Sequence, residues 1–493
     1  MTPSSGSTGA DRDDRFVTGS HDLPVPAALA EFFKHGWADT NTSLAPLPAS
    51  AYAAKRRAAV SARFPGERLV LPAGGLKVRS NDCDYAFRPH TAFAHLTGET
   101  ATEAVPEAVL VLEPTPSGHE AVLFTHPRSP RDGSPLGAQF YRDRRHGELW
   151  VGRRRTLAET EEAFGLAAAD LETLESRLGG GIPTRVVRDV DPAVDALVAP
   201  HADADADREL HSVLAELRLV KDEWEASQLA AAVGHTVTGF QDVVSELRYA
   251  SGLARGERWV EGVFNRRARL EGNGPGYETI AAAGAHACVL HWIRNDGPLP
   301  EGGLLLLDAG VEVDSFYTAD ITRTLPVGGR FTDAQRRVYD LVYAAQEAGI
   351  AAVRPGARFR DFHQAAMRVI AEGLDDWGLL PGGAESSLDP ESGLHRRYTL
   401  CSSGHMLGMD VHDCAKARAE TYLDGVLEAG QVLTVEPGLY LQPDDLTLPE
   451  ELRGIGVRIE DDLLVTEDGA VNLSASLPRQ ADELETWMAE LMG

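Results

Sequence analysis

An apolar run, LLLL, ends in Asp308, and a second acid, Asp320, follows twelve residues later inside Ala-Asp-Ile-Thr-Arg-Thr. The leucines read as a buried strand. A carboxylate at the end of such a strand is costly unless something positive meets it. Two carboxylates this close in sequence repel unless a cation sits between them. On this stretch alone, a turn cap at Asp308 and an ion pair from Asp320 to Arg323 explain the residues equally well. Three later segments add to it. SSGHMLGMDVHD carries His405 and His412, QVLTVEPGLY carries Glu436, and GIGVRIEDDLLV carries Glu460. In the last of these, strand alternation sends Ile455, Val457 and Ile459 to one face and Gly456, Arg458 and Glu460 to the other. Arg458 and Glu460 therefore project together, which selects Glu460 over Asp461. Thr434 and Glu436 share a face in the same way, and Pro437-Gly438 ends that strand at the carboxylate.

Each residue has an ordinary explanation when taken singly. His405 can be a hydrogen-bonded histidine, Glu436 a turn carboxylate, and Arg458 with Glu460 an ion pair on a sheet face. Asp461 and Asp462 read as solvated or structural acids. Taken jointly, Asp308, Asp320, Glu436 and Glu460 with the imidazole of His405 form a cluster that cannot be buried without cations. Two divalent ions neutralise four carboxylates while the histidine binds neutral. Hard oxygen donors favour Mn²⁺ over a thiolate-loving ion. Such a pair can hold a water, lower its pKa and present a hydroxide to a carbonyl. A nearby carboxylate can then carry the proton to a leaving amine.

The elements that must position these groups follow from pattern. At 493 residues the chain exceeds one ordinary core. We expect a short disordered tail over residues 1–20, an N-terminal domain over 21–214 and a catalytic domain over 215–493. In the first domain, helical PVPAALAEFFKHGWAD and AYAAKRRAAVSARFPGE precede strand-like ERLVLPAGG, AVLVLEP, EAVLFTH and ELWVGRRR. Helices at TEEAFGL and LETLESRLGG and a strand at TRVVRDV complete an α/β pattern. The polar run from His201 to Asp207 reads as a linker or exposed loop. In the second domain, Asp222 and Glu225 form a capping signal, followed by a one-faced stripe at Leu229, Val233, Val237, Phe240, Val244 and Leu247. Thr332 and Gln335 cap a second helix, and FRDFHQAAMRVIAEGL forms a third.

Composition excludes several partners. A net charge of −28 argues against nucleic acid, whose phosphates need basic patches. No apolar run is long enough to cross a bilayer, and the N-terminus lacks a secretory pattern. The cysteines Cys83, Cys288, Cys401 and Cys414 are scattered without CxxC spacing, which suits free thiols and a cytoplasmic location.

The motifs LDAG…ADITRTLPV, SGHMLGMDVHD, VLTVEPGLY and GIGVRIEDD resemble those of aminopeptidase P, the Xaa-Pro aminopeptidases of the pita-bread metallopeptidase family. RSNDCDYAFRPHTAFAHLTGET and ELWVGRRR are similar to that family's N-terminal domain. The resemblance implies an α/β (α+β) architecture, with an N-terminal α/β domain before a C-terminal pita-bread catalytic domain. It implies that Asp308, Asp320, His405, Glu436 and Glu460 are the ligands of two divalent ions, with Asp320 and Glu460 bridging both. Glu436 would double as proton shuttle, and His291 and His412 would steady substrate near the scissile bond. Arg458 would support the ligands, and Arg153 would reach an active site, its own or a neighbouring subunit's. The implied reaction releases the N-terminal residue from peptides with proline in second position, through attack by a hydroxide bridging the ions. The family suggests a homo-oligomer, dimer or tetramer.

Two departures stand out. The Asp308–Asp320 spacing is one residue longer than in the best-known bacterial members, which a turn or bulge can absorb. Ala94 stands where those members carry a large aromatic. The runner-up function is an Xaa-Pro dipeptidase, which shares this metal site. A metal-free peptide-binding module of the same fold is the third reading, disfavoured because all five ligand positions are kept.

Overall fold

The computed structural model describes residues 26–38, 45–81, 83–101, 103–129, 131, 140, 143–201, 203–400 and 402–493. The expected tail and Cys401 lie outside the described residues. Two compact units divide the chain, Met1–Leu210 and His211–Gly493.

The first unit is built on a five-stranded sheet. In spatial order its strands are Ala167–Asp170, Gly118–Thr125, Val109–Thr115, Arg68–Pro72 and Thr184–Val186. The outer pairings are parallel and the inner ones antiparallel. Arg68–Pro72 is buried along its whole length and Val109–Thr115 along its first half, so their β-branched and leucine side chains fill both faces. Against the sheet, the helix Ser50–Arg63 turns Arg56 and Arg57 onto the carbonyls of His95 and Leu96, at 3.1 and 2.7 Å. These are last-turn carbonyls of the helix Thr91–Thr97, which have no partner of their own within it. Ala94 is buried inside that helix.

Two local expectations fail here. ELWV is not a strand but a single helical turn, Glu148–Val151, held because Glu148 takes Arg128 and Arg131. From residue 204 on, the polar run is helix and not loop. It opens the helix Ala204–Leu217, whose first-turn acids suit the positive end of the dipole. Asp207 is buried because it accepts hydrogen bonds from the Val186 amide (2.8 Å) and from Arg188 Nε (2.6 Å).

The second unit opens with the helix Glu223–Ser251. Its Asp222/Glu225 capping box is complete, and the predicted stripe from Leu229 to Leu247 is buried. Thr332 and Gln335 likewise close the box that starts the helix Asp333–Ala352, which packs beside Phe359–Asp376. Three of this unit's small sheets carry the candidate site residues. One runs Ile321–Pro326, Leu304–Ala309, Ile280–Ala283; a second pairs Gly438–Leu441 with Ile455–Arg458; a third runs Val432–Val435, Asp461–Val465, Ala470–Asn472.

Candidate metal centre

The strands Leu304–Ala309 and Ile321–Pro326 run antiparallel with Asp308 opposite Thr322. Alternation then puts Asp308, Thr322 and Asp320 on one face. The link between them is more than a hairpin turn. Val311–Glu312 leaves to pair with Gly274–Pro275, and Glu312 bridges back to Thr318. A Cβ on Gly310 would stand 1.7 Å from the Ala319 carbonyl oxygen, so glycine is what lets the two arms of this excursion close.

Glu460 comes between the strands Ile455–Arg458 and Asp461–Val465 and is almost fully buried. Its amide donates to the Thr322 carbonyl at 3.0 Å, and its Oε2 accepts the Thr322 hydroxyl at 2.8 Å. Arg458 Nε donates to the same hydroxyl at 3.1 Å, while one terminal nitrogen reaches Asp308 Oδ2 at 2.5 Å and the other Tyr440 at 3.0 Å. Arg458 and Glu460 thus meet on one face, as alternation required. Arg323 does not pair with Asp320. It lies fully buried behind the strand, donating to Asp461 Oδ1 (2.7 Å) and to the carbonyl of Glu460 (2.7 Å). Asp461 and Asp462 are not solvated. Asp461 is clasped by Arg323, Arg479 and Ser474, and Asp462 accepts the Asp320 amide at 3.1 Å.

His405 enters from the 402–405 segment, where Gly404 at φ 154° would press a Cβ to 2.1 Å from the Thr434 carbonyl oxygen. That close approach ties His405 to the Val432–Val435 strand through the Thr434 amide (2.8 Å). Its Nδ1 faces the Met406 carbonyl at 3.1 Å, which turns Nε2 toward the acids. Nε2 lies 3.3 Å from Asp320 Oδ2 and 3.5 Å from Glu436 Oε1. Glu436 is the most open of the acids, its side chain 19 % exposed against 6 % for Asp320 and 11 % for Asp308. One ligand atom each from Asp320, His405 and Glu460 lies within 4.8 Å of the others.

The electrostatics are those of crowded anions. Burial, and then the charges of Asp320, Glu436 and Asp308, push the Glu460 carboxyl far above its usual range. Burial likewise raises Asp308, against the pull of Arg458, and raises Glu436, against the pull of His405. Burial alone would lower His405, but Asp320 and Glu436 overcome it and bring it to about 9. The cluster therefore attracts positive charge.

Two observations test whether this donor set fits divalent ions. Glu460 Oε1 and Asp462 Oδ1 are buried with no hydrogen-bond partner among the described residues. The Tyr277 hydroxyl, with one proton, lies 2.6 Å from Asp308 Oδ1 and 2.5 Å from Asp320 Oδ1. Both mark positive charge that the side chains do not supply. The spacings around His405 Nε2 are also those of ligands sharing an ion at about 2.0–2.2 Å. Four oxygen donors and one imidazole fit.

The remaining expected residues divide. His412 packs edge-on against His405, centroids 4.4 Å apart, and burial together with the His405 charge holds it below its usual value. Next to it, Asp413 is clamped by Arg218 at 3.0 Å and Lys221 at 3.3 Å. His291 is exposed on the 289–297 loop. That loop is pinned by buried Glu257, which accepts from Trp292 Nε1 (3.0 Å), the Gly297 amide (2.6 Å) and His286 Nδ1 (2.7 Å). Arg153 belongs to the first unit, where it donates to Glu159 at 2.6 Å. Tyr277, Glu257 and the Arg218–Lys221–Asp413 clamp escaped sequence reasoning. The only local hint was an aromatic in the glycine-rich EGNGPGYE turn.

Comparison with known proteins finds relatives over nearly the whole chain. The profile of metallopeptidase family M24 matches residues 225–467, and that of the aminopeptidase P N-terminal domain matches residues 53–185. Xaa-Pro aminopeptidase 2 of Streptomyces coelicolor is 57% identical, over 95% of this chain and 97% of its own. The Xaa-Pro aminopeptidase of Escherichia coli is 32% identical over 88% and 96%. The structure of Pseudomonas aeruginosa aminopeptidase PepP superposes with a TM-score of 0.77 at 31% identity, covering 91% of this chain and 99% of that one. Zinc-substituted E. coli aminopeptidase P in complex with product gives 0.77 at 30%, covering 90% and 98%.

Proposed function

The chain belongs to metallopeptidase family M24, in its aminopeptidase P branch, and on that premise we propose that Asp308, Asp320, His405, Glu436 and Glu460 hold its divalent ions. The protein is a metal-dependent aminopeptidase that removes the first residue from peptides with proline in second position. The observation that carries the site assignment is the gathering of Asp320, Glu436 and Glu460 at His405, with Asp308 joined to Asp320 through the Tyr277 hydroxyl and one Glu460 oxygen buried without a partner among the described residues. The oxygen-rich donor set favours Mn²⁺. Two ions, each met by carboxylates, would supply Lewis-acid activation of a water and of the scissile carbonyl.

The chain's own groups do the rest. Glu436, the acid most open to substrate, takes the proton of the attacking water as the carbon–oxygen bond forms. It returns that proton to the proline nitrogen as the carbon–nitrogen bond breaks. The bond before proline is a tertiary amide with no N–H, so a site that asks nothing of that N–H suits it. His412 and His291 steady the substrate around the reacting carbonyl. Arg458 and Tyr277 act one step back, orienting Asp308 and Asp320. Arg153 pairs with Glu159 within the first unit. The enzyme is expected to work in the cytoplasm as a dimer or tetramer.

The test is cleavage of an Xaa-Pro-Yaa tripeptide and an Xaa-Pro dipeptide with Mn²⁺, each with a chelated control. Release of the first residue from the tripeptide, lost on chelation, is the expected result. Cleavage of the dipeptide alone would make the protein a dipeptidase, and indifference to chelation would overturn the metal reading.

A further inference from the structure

A second cluster of metal-ligating side chains lies in the first unit, apart from anything the peptidase reaction uses. The hairpin formed by Val109–Thr115 and Gly118–Thr125 pairs Val109 with Phe124. Continuing that register past its open end sets Glu107 opposite His126. The two do meet, with His126 Nε2 3.1 Å from Glu107 Oε2. A third residue joins them from the 143–147 turn, with His146 Nε2 3.6 Å from the same carboxylate oxygen. The turn is locked, because Asp143 Oδ1 accepts the amides of Arg145 and His146, both at 2.9 Å. The imidazole rings lie 4.0 Å apart, tilted by 44°.

Three features set this cluster apart from a surface ion pair. One ligand atom from each residue falls within 4.8 Å of the other two. Ligand atoms at about 2.0–2.2 Å from a tetrahedral ion stand roughly 3.3–3.6 Å from each other. The two spacings to Oε2, 3.1 and 3.6 Å, straddle that range. His146 is more than nine-tenths buried, with its Nε2 turned to the carboxylate. Glu107 holds a left-handed backbone, φ 68°, with its amide fixed on the Gly74 carbonyl at 2.8 Å. A non-glycine residue keeps that conformation at a cost. Here it points the carboxylate at the imidazoles. Arg145 approaches the other oxygen, Oε1, at 4.0 Å and leaves Oε2 to the histidines. His126 also lines a cavity of about 900 Å³.

We propose that Glu107, His126 and His146 bind a borderline divalent cation of the Zn²⁺ class, with water as fourth ligand, clipping the open end of the hairpin to the 143–147 turn. This does not rest on the peptidase reading. The mixed histidine–carboxylate donors select Zn²⁺ over the harder ions suited to the oxygen-rich centre.

The test uses the full-length protein, stripped of metal and dialysed against Zn²⁺, with bound zinc counted per chain. Wild type is expected to hold one equivalent more than Glu107→Gln and more than His126→Ala/His146→Ala, while all three keep Mn²⁺-dependent cleavage. Co²⁺ provides a second readout. A tetrahedral visible band should persist in wild type after the oxygen-rich centre is filled and be missing in Glu107→Gln. Equal zinc counts in wild type and Glu107→Gln, or no such band in wild type, would reduce the cluster to a hydrogen-bonded ion pair and overturn the proposal.

Discussion

Replacing Glu460 by glutamine should move stability in opposite directions with and without metal. Glu460 is 1 % exposed, Oε2 is satisfied by Thr322, and Oε1 has no partner among the described residues. Without ions its charge faces Asp320, Glu436 and Asp308 with little compensation, and an uncompensated buried charge costs about 3–5 kcal/mol. The acid can escape by holding its proton. From an ordinary value of 4.5, that costs about 4 kcal/mol at pH 7.5, so the two routes agree in size. Glutamine removes the charge and keeps the shape. Its carbonyl accepts from Thr322, and its NH₂ finds carboxylate acceptors. Metal-free Glu460→Gln should therefore exceed metal-free wild type by about 3 kcal/mol. For the 283 residues of the second unit (493 minus 210) this is a rise of roughly 5 °C in Tm. With ions the order reverses. Each ion at a hundred times its Kd adds about 2.7 kcal/mol to wild type, and the variant loses a ligand and part of that gain. The assay is thermal unfolding in chelator and across a Mn²⁺ titration. A variant no more stable than wild type in chelator, or one that Mn²⁺ stabilises equally, would refute the reading of Glu460 as part of a cation-seeking cluster.

Three other outcomes follow from the same geometry. Glu436→Gln should lower kcat by about 10²–10⁴-fold, with peptide binding by calorimetry largely retained. Arg323→Met strips Asp461 and the Glu460 carbonyl of a fully buried cation and should cost about 3–5 kcal/mol in denaturant unfolding, part of which Arg323→Met/Asp461→Asn recovers. Glu99, buried in the first unit, has its carboxyl raised by burial to about 7 from 4.5, despite Arg155. The folded form holds that proton more tightly, so stability present below about pH 4.5 is lost as pH rises toward 7. Glu99→Gln should remove a pH dependence of about 3 kcal/mol between pH 5 and 8 from the unfolding of that unit.

What was legible in the sequence was whatever leaves a local trace. An apolar run ending in an acid located Asp308, and period-two alternation chose Glu460 over Asp461 and put Arg458 beside it. Capping pairs at Asp222/Glu225 and Thr332/Gln335 marked helix starts because both partners lie within one turn. What was hidden depends on distant partners. Asp413 is fixed by Arg218, 195 positions away, and Arg323 is spoken for by Asp461, 138 positions away, so neighbours in sequence suggested the wrong pair. The ELWV segment has strand composition, but two arginines on Glu148 hold it as a helical turn. The 201–207 run looked solvated because nothing local reveals that Asp207 caps the Val186 amide.

The distance along the chain between Asp308 and Glu460 also bears on how the enzyme is made. Their meeting at Thr322 joins positions 152 residues apart (460 minus 308). At about 5–20 residues per second, the ribosome delivers the second carboxylate roughly 8–30 s after the first. On the proposed ligand set, the nascent chain displays only half of the cradle during that interval. If Asp308 and Glu460 hold the ions together, metal capture waits until the second of them has emerged, and the ion taken up is set by what the compartment offers a nearly finished fold.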